Sequence, residues 1–216
     1  MKSGRDTVWE LAFNKQPLFE KLKFFLMQHS LKKMMAKSKK DLNCIDILDV
    51  GCGYHGNMLR ALSKSARSVT GLDFNIDEEL FSRDRINSIV GDAEKVLCNV
   101  PEQSFDVVYM LSVLEHVNDP VKLLKEVRRV LRPTGVFFVN SPSWFGKFIL
   151  ERVVLPYFDG SGSYKIQVDT HKRYFSNSSL WQVLIDSGFV SSEVKIAKAN
   201  FFCSVSACIT KRNDAA

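Results

Sequence analysis

Residues 44–50 read Cys-Ile-Asp-Ile-Leu-Asp-Val, a short, β-branched and nearly continuous apolar run. A strand with one wet face alternates apolar and polar residues, whereas a run of this kind is buried on both faces, as in parallel sheets. Parallel neighbours cannot be joined by a tight hairpin, so such a strand commits the chain to crossover connections, usually helical. The following residues supply them. Residues 57–66 (NMLRALSKSA) predict a helix, 68–73 (SVTGLD) a second strand, 86–92 (INSIVGD) a third and 105–111 (FDVVYML) a fourth. Residues 120–131 predict an amphipathic helix opened by Pro120, with Val121, Leu124, Val127 and Leu131 along one face. Pro133-Thr134-Gly135 then turns the chain into a fifth strand, 135–140. Strand and helix alternating from 45 to 140 specify a doubly wound α/β sheet.

The flanks read differently. Residues 7–36 predict helices, with Leu18, Leu22, Phe25 and Leu26 at helical spacing and Pro17 dividing or opening them. Residues 141–175 break the rhythm with eight aromatics, among them Trp144, Phe145, Phe148 and Tyr174, around Gly160-Ser161-Gly162-Ser163. Residues 176–188 predict a helix ending at Gly188, and 189–197 with 201–210 a closing pair of strands. The expected organisation is a helical cap over 1–43, a ligand-binding core over 44–140, an aromatic insertion covering the acceptor side over 141–175, and a helix and strand pair over 176–216 that complete the same sheet.

At 45% hydrophobic and 25% charged residues, the 216-residue chain has the composition of an ordinary globular domain. No apolar run approaches the roughly 20 residues needed to span a bilayer, and MKSGRDTVWE lacks the apolar stretch of a secretory signal, so a cytoplasmic protein is expected. The five cysteines are odd in number and scattered without a C-x-x-C pair, which predicts thiols in a reducing compartment and no metal site. The net charge is +6, and residues 1–40 hold ten Lys/Arg against three acids. That basic segment suits an anionic substrate, a membrane surface contacted peripherally, or nucleic acid; a solvated helix face is the plainer alternative.

Asp49-Val50-Gly51-Cys52-Gly53-Tyr54-His55-Gly56 follows the first strand and admits two readings. As G-x-G-x-x-G it suits a dinucleotide; as D-x-G-x-G it suits another nucleotide-like ligand. In open α/β sheets ligands bind beyond the carboxyl ends of the strands, and three acids stand there: Asp49, Asp73 and Asp92. Gly51 and Gly53 allow a sharp turn and close backbone approach. Asp73 can accept from both hydroxyls of a ribose, and Asp92 from an exocyclic adenine amine. A carboxylate at position 49 would repel a pyrophosphate but suits an ammonium and a sulfonium. For each acid a helix cap or turn role is the alternative.

ILDVGCG (47–53), GLD (71–73), GDAEKV (91–96), FDVVYMLSVLEHVNDP (105–120) and LLKEVRRVLRPTGVFFVNSPS (123–143) resemble the successive signatures of the class I S-adenosylmethionine-dependent methyltransferases. The likeness is greatest to the branch of ubiquinone and menaquinone biosynthetic enzymes and tailoring enzymes of small molecules and glycans. It covers about residues 45–210, and DTHKRYFSNSSLWQVLIDSGF (169–189) resembles that branch's late helix. The resemblance implies a Rossmann-like sheet of about seven strands, mostly parallel with an antiparallel final strand, helices on both faces, and S-adenosylmethionine as cofactor. It implies that Asp49, Gly51, Cys52 and Gly53 line the methionine moiety, Asp73 the ribose, and Asp92 with Ala93 the adenine, with Phe74 and Leu111 flanking the adenosine. The family carries a further glycine two residues after Gly53, where this chain has His55.

Methyl transfer from a sulfonium asks the protein chiefly for alignment, and for a base only where the acceptor must lose a proton. Of four histidines, His29 is read as surface and His55 as a loop residue. His116, past the fourth strand with Glu115 placed to orient it, and His171, past the aromatic insertion, are the candidate catalytic bases. Lys147, Arg152, Lys165, Lys172 and Arg173 interleave with the aromatics, which suits an anionic small-molecule, glycan or lipid-linked acceptor. Stable nucleic-acid binding is not expected: after the fourth strand stands Met110-Leu111-Ser112-Val113, not the Asn/Asp-Pro-Pro-aromatic loop that grips a flipped base, and no Pro-Cys pair. A nucleic-acid or protein methyltransferase and a nicotinamide-dependent oxidoreductase are the alternatives.

Overall fold

Strand β1, Asp46–Val50, explains its own composition: Ile47, Leu48, Asp49 and Val50 are all buried, because β2 (Ser68–Asp73) and β4 (Phe105–Leu111) pair with it on either side. A computed structural model describes residues 42–149, 151–152, 169–199 and 203–213. The helices expected over 7–36 and the middle of the aromatic insertion, 153–168, lie outside the described residues. Two units are distinguished: Met1–Lys40 with Phe148–His171, and Asp41–Lys147 with Lys172–Ala216.

The second unit is built on a seven-stranded sheet of order β3-β2-β1-β4-β5-β7-β6, adding β3 (Asn87–Val90), β5 (Leu131–Pro142), β6 (Val194–Ala199) and β7 (Ser204–Thr210). Strands β1 to β5 are parallel, and β7 runs antiparallel to both of its neighbours. The mostly parallel sheet with a reversed final strand is as expected. Its order reverses between β1 and β4, so the crevice outside their carboxyl ends is the place for a ligand. The helices are α1 (Asn57–Leu62), α2 (Glu78–Arg83), α3 (Ala93–Val96), α4 (Pro120–Val130), α5 (Trp144–Ile149) and α6 (Asn177–Asp186), numbered over the described residues.

Helix α4 shows how the sequence fixes a wall of the sheet. Asp119 caps it by accepting from Lys122 N at 3.0 Å, Pro120 occupies its first turn, and Leu123, Leu124, Val127 and Val130 are buried. Each such side chain contributes about 1.5–3 kcal/mol of burial. Its carbonyl end is closed from far along the chain: buried Lys211 donates through Nζ to Arg128 O (3.0 Å) and Leu131 O (2.9 Å). Of the expected stripe, Leu124, Val127 and Leu131 are buried, Leu131 as the first residue of β5, whereas Val121 is half-buried and Leu123 and Val130 complete the face.

Other boundaries differ for physical reasons. α1 stops at Leu62, four residues short of the expected end, and α2 and α3 are additional short helices, of six and four residues, started by the carboxylates of Asp77 and Asp92. β5 begins at Leu131 and not 135, because Arg132 is drawn to the starts of β1 and β4, where it pairs with Asp46 (2.8 Å) and Asp106 (2.6 Å). The intervening Pro133-Thr134-Gly135 is accommodated as a bulge, with Thr134 in the left-handed region at φ 61°. The five cysteines are thiols. Among the described residues no helix is long and apolar enough to cross a membrane.

Candidate functional site

The carboxyl ends of β1, β2 and β4 bring Asp49, the glycine loop, Asp73 and the His116 loop to one place. Asp49 sits opposite Gly71 of β2 and Tyr109 of β4 and is only 3% exposed. Its Oδ1 is buried without a hydrogen-bond partner, an arrangement that costs free energy unless something nearby compensates. Burial, and then the charge of Asp73, push its pKa from the ordinary 3.8 up to about 7. Burial and Asp49 likewise raise the Tyr109 phenol, and burial with Asp49 and Asp73 raise the Cys52 thiol. Both stay protonated, and the Cys52 thiol, donating to Gly53 O at 3.5 Å, is not suited to act as a nucleophile.

The loop after β1 is held by its neighbours. Gly51 donates to Leu72 O at 2.7 Å and has φ +78°; a Cβ there would lie 2.2 Å from Val113 Cγ2. Gly53 has φ +73° and open space where its Cβ would be, and its amide donates to Asp73 Oδ2 at 2.8 Å. Phe74 N donates to Asp73 Oδ1 at 2.7 Å, and the Asn75 amide also bonds this carboxylate, so three loop amides hold Asp73. Burial nonetheless outweighs these bonds and raises its pKa. Phe74 follows with its ring 72% exposed, an unusual setting for a phenylalanine.

His55, at the family's glycine position, faces α2: its Nδ1 lies 3.7 Å from Asp77 Oδ2, and its ring meets Tyr54 edge-on at 4.8 Å. Gly56 takes the left-handed turn in its place, at φ 52°, and its amide donates to Gly53 O at 3.1 Å. A Cβ at Gly56 would come within 2.5 Å of Phe81 Cζ, which is why the shifted turn also needs a glycine.

Asp92 is a helix cap: Oδ1 accepts from Glu94 N at 3.1 Å, starting α3, and Oδ2 lies 3.5 Å from Lys95 Nζ. Ala93 packs against the core at the start of that turn. Leu111, half-buried, closes β4 and leads into Ser112, held in the left-handed region at φ 55° with its amide on Asn140 O (2.8 Å). A non-glycine residue so held at a strand end is a mark of functional sites. His116 is half-buried, and a ring nitrogen lies within 4.8 Å of a carboxylate oxygen of Glu115. Glu115 is wholly buried; Ser141 Oγ donates to its Oε2 at 2.6 Å, and Lys172 N to its backbone oxygen at 2.8 Å. His171 is half-buried and belongs to the other unit. Lys172 and Arg173, expected to meet the acceptor, bind the loop instead: Lys172 Nζ donates to Asn118 Oδ1 and Arg173 to Asn118 O (3.0 Å). Tyr109, Val113, Ser141 and Glu94 join the site unannounced, because their parts follow from strand register and loop packing.

A Methyltransferase domain family matches residues 48–139, from within β1 to the end of β5's parallel pairing. That match, together with a relative named as a probable S-adenosylmethionine-dependent methyltransferase, supports a class I S-adenosylmethionine-dependent methyltransferase domain over these residues. Over 105 residues, covering 44% of this chain and 34% of the relative, it is 34% identical to a tRNA U34 carboxymethyltransferase of Nautilia profundicola. It is 29% identical over 105 residues to a Ubiquinone biosynthesis O-methyltransferase of Actinobacillus pleuropneumoniae, covering 44% of each. The chain thus spans less than half the length of these curated relatives. A SAM-dependent methyltransferase of Archaeoglobus fulgidus has the same fold at a TM-score of 0.62 and 20% identity, covering 86% of this chain and 93% of that one.

The methyltransferase domain fits its cofactor on one observation above all. A buried carboxyl with a partnerless oxygen and a pKa near neutrality is corrected by a cation brought close, and the cofactor's ammonium and sulfonium are such charges. The same carboxyl disfavours the pyrophosphate of the dinucleotide reading.

Proposed function

We propose that this chain is an S-adenosylmethionine-dependent methyltransferase acting on an oxygen, nitrogen or carbon of a small-molecule, glycan or lipid-linked acceptor, with an anionic group favoured. Its setting is the cytoplasm, on the ground that the cysteines are odd in number and scattered without a C-x-x-C pair. When bound, the cofactor supplies an electrophilic methyl group on a positively charged sulfur. Asp49, ionised by the approaching positive charge, holds the methionine end against Gly51, Cys52 and Gly53. Asp73 accepts the ribose hydroxyls and, through Gly53 N, keeps the glycine loop at the right height. Asp92 and Ala93 border the adenine, with Phe74 and Leu111 against the adenosine faces. His116, oriented by buried Glu115, takes the acceptor's proton where one must leave; His171 is a second candidate for that role.

The buried Asp49 oxygen beside Asp73 carries this reading. Calorimetry with S-adenosylmethionine or S-adenosylhomocysteine is expected to give micromolar binding that Asp73→Ala abolishes; absence of heat with the unmodified chain refutes it.

A nucleic-acid acceptor is the second reading, favoured by the +7 charge of residues 1–40 (ten Lys/Arg less three acids) and by the relative named as a tRNA U34 carboxymethyltransferase. It requires RNA affinity that falls steeply between low and physiological salt.

A further inference from the structure

Resting on the methyltransferase reading, we propose that Glu94 is a positioning residue that couples the adenine end of the site to the loop carrying His116. Glu94 follows Asp92 and Ala93 directly, and its side chain reaches across to the end of the 112–119 loop. Oε2 accepts from Asn118 N and Asn118 Nδ2, each at 3.0 Å, and Oε1 accepts from Asp119 N at 2.8 Å. Three donors converge on one carboxylate, and bonds to a charged acceptor are the strong ones. Burial works to raise the pKa of Glu94, but the bonds from Asn118 and Asp119 and the charge of Lys172 outweigh it, so the group is ionised at neutral pH.

The loop between its ends carries the parts that matter. Ser112 opens it in a left-handed turn, Val113 packs against Gly51, His116 stands midway, and Asp119 ends it as the cap of α4. Further bonds reach it from β5 and from residues 172–173: Ser112 N donates to Asn140 O, Ser141 Oγ to Glu115 Oε2, Lys172 N to Glu115 O, Lys172 Nζ to Asn118 Oδ1, and Arg173 to Asn118 O. Glu94 holds it from the adenine side. Because α3 is four residues long and starts on Asp92 itself, a displacement at 92–93 is passed to Glu94 within one turn and then to two loop amides. Occupancy at the adenine end therefore stiffens the loop at the reaction end. By reciprocity, a loop cut from Glu94 weakens the nucleoside site by the same factor.

Amide hydrogen exchange on the full chain, with and without S-adenosylhomocysteine, tests this. In the unmodified protein the ligand slows exchange over 112–119. In Glu94→Ala, the amides of Asn118 and Asp119 exchange roughly tenfold faster without ligand, since their shared charged acceptor is gone. Ligand-induced slowing disappears from 112–119 but persists over 49–56, and affinity for S-adenosylhomocysteine falls roughly five- to tenfold, unlike the abolition expected of Asp73→Ala. Glu94→Gln, which keeps one acceptor oxygen, falls between the two and guards against a misfolded alanine variant; unchanged exchange in β1 and β4 shows that the sheet is intact. Two results overturn the coupling: Asn118 and Asp119 amides as slow in both variants as in the parent, or a loop that still responds to ligand in Glu94→Ala. If the unmodified chain fails to bind S-adenosylhomocysteine, the function reading falls as well.

Discussion

Replacing Asp49 by asparagine removes a titrating group from the middle of the sheet without changing its size, and the consequence is worked from one number. The Asp49 carboxyl titrates near 7 in the folded chain, against 3.8 ordinarily. The folded state therefore holds this proton more tightly than the unfolded state does. Its contribution to stability is fully present below about pH 4 and is lost as pH rises through 7. Between pH 5 and the folded value lie two pH units at about 1.36 kcal/mol each, so the parent loses ~2–3 kcal/mol to this group from pH 5 to pH 8. For a chain of this size that is roughly 5–10 °C of melting temperature. The assay is denaturant unfolding of parent and Asp49→Asn at pH 5 and pH 8 without cofactor. Every other titrating group is common to the two proteins, and Asp73 is the one coupled to Asp49, so the difference reports Asp49 together with that coupling. The parent is expected to lose ~2–3 kcal/mol relative to the variant on going from pH 5 to 8. A parent-minus-variant difference that is flat across this range refutes the burial argument and the ligand assignment built on it.

Three further outcomes follow from the same geometry. Cofactor binding at pH 7 should release about half a proton as Asp49 ionises against the incoming ammonium, and close to none at pH 9; calorimetry in buffers of different ionisation enthalpy measures this, and release that persists in Asp49→Asn contradicts it. Gly51→Ala, which combines a left-handed backbone with a 2.2 Å approach to Val113, should cost ~2–5 kcal/mol of unfolding free energy, whereas Gly53→Ala, with open space at its Cβ, should cost only ~1–2 kcal/mol. Equal losses in the two denaturant midpoints would remove the steric argument. Lys211→Met should cost ~1–3 kcal/mol, since Arg128 O and Leu131 O at the end of α4 lose a buried donor; an unchanged melting temperature would show that the cap is dispensable.

The sheet was legible because its strands are buried on both faces and so read as apolar runs, as in β1 and β4. α4 was legible because Asp119-Pro120 and a 3.6-residue apolar period mark a helix locally. The start of β5 was not, since what extends it to Leu131 is the pull of Asp46 and Asp106, each many residues away. The short α2 and α3, of six and four residues, carry too few residues to show a period. Within the site, Asp49, Gly51, Gly53 and Asp73 stood out as residue types at strand ends. For Asp92 the residue type left a ligand role and a helix cap both open, and only the structure shows the cap, with Oδ1 on Glu94 N.

By itself the sequence determined the class of sheet and the strand ends at which its acids and glycines gather. Those properties depend on local pattern and on residue type. Only the tertiary structure decided that Asp49 is buried with an oxygen unpartnered beside Asp73, that Gly56 takes the turn His55 leaves, and that Lys172, Arg173 and Glu94 grip the His116 loop. Burial, register and hydrogen-bond partners are set between residues distant along the chain, and no local pattern encodes which of them will meet.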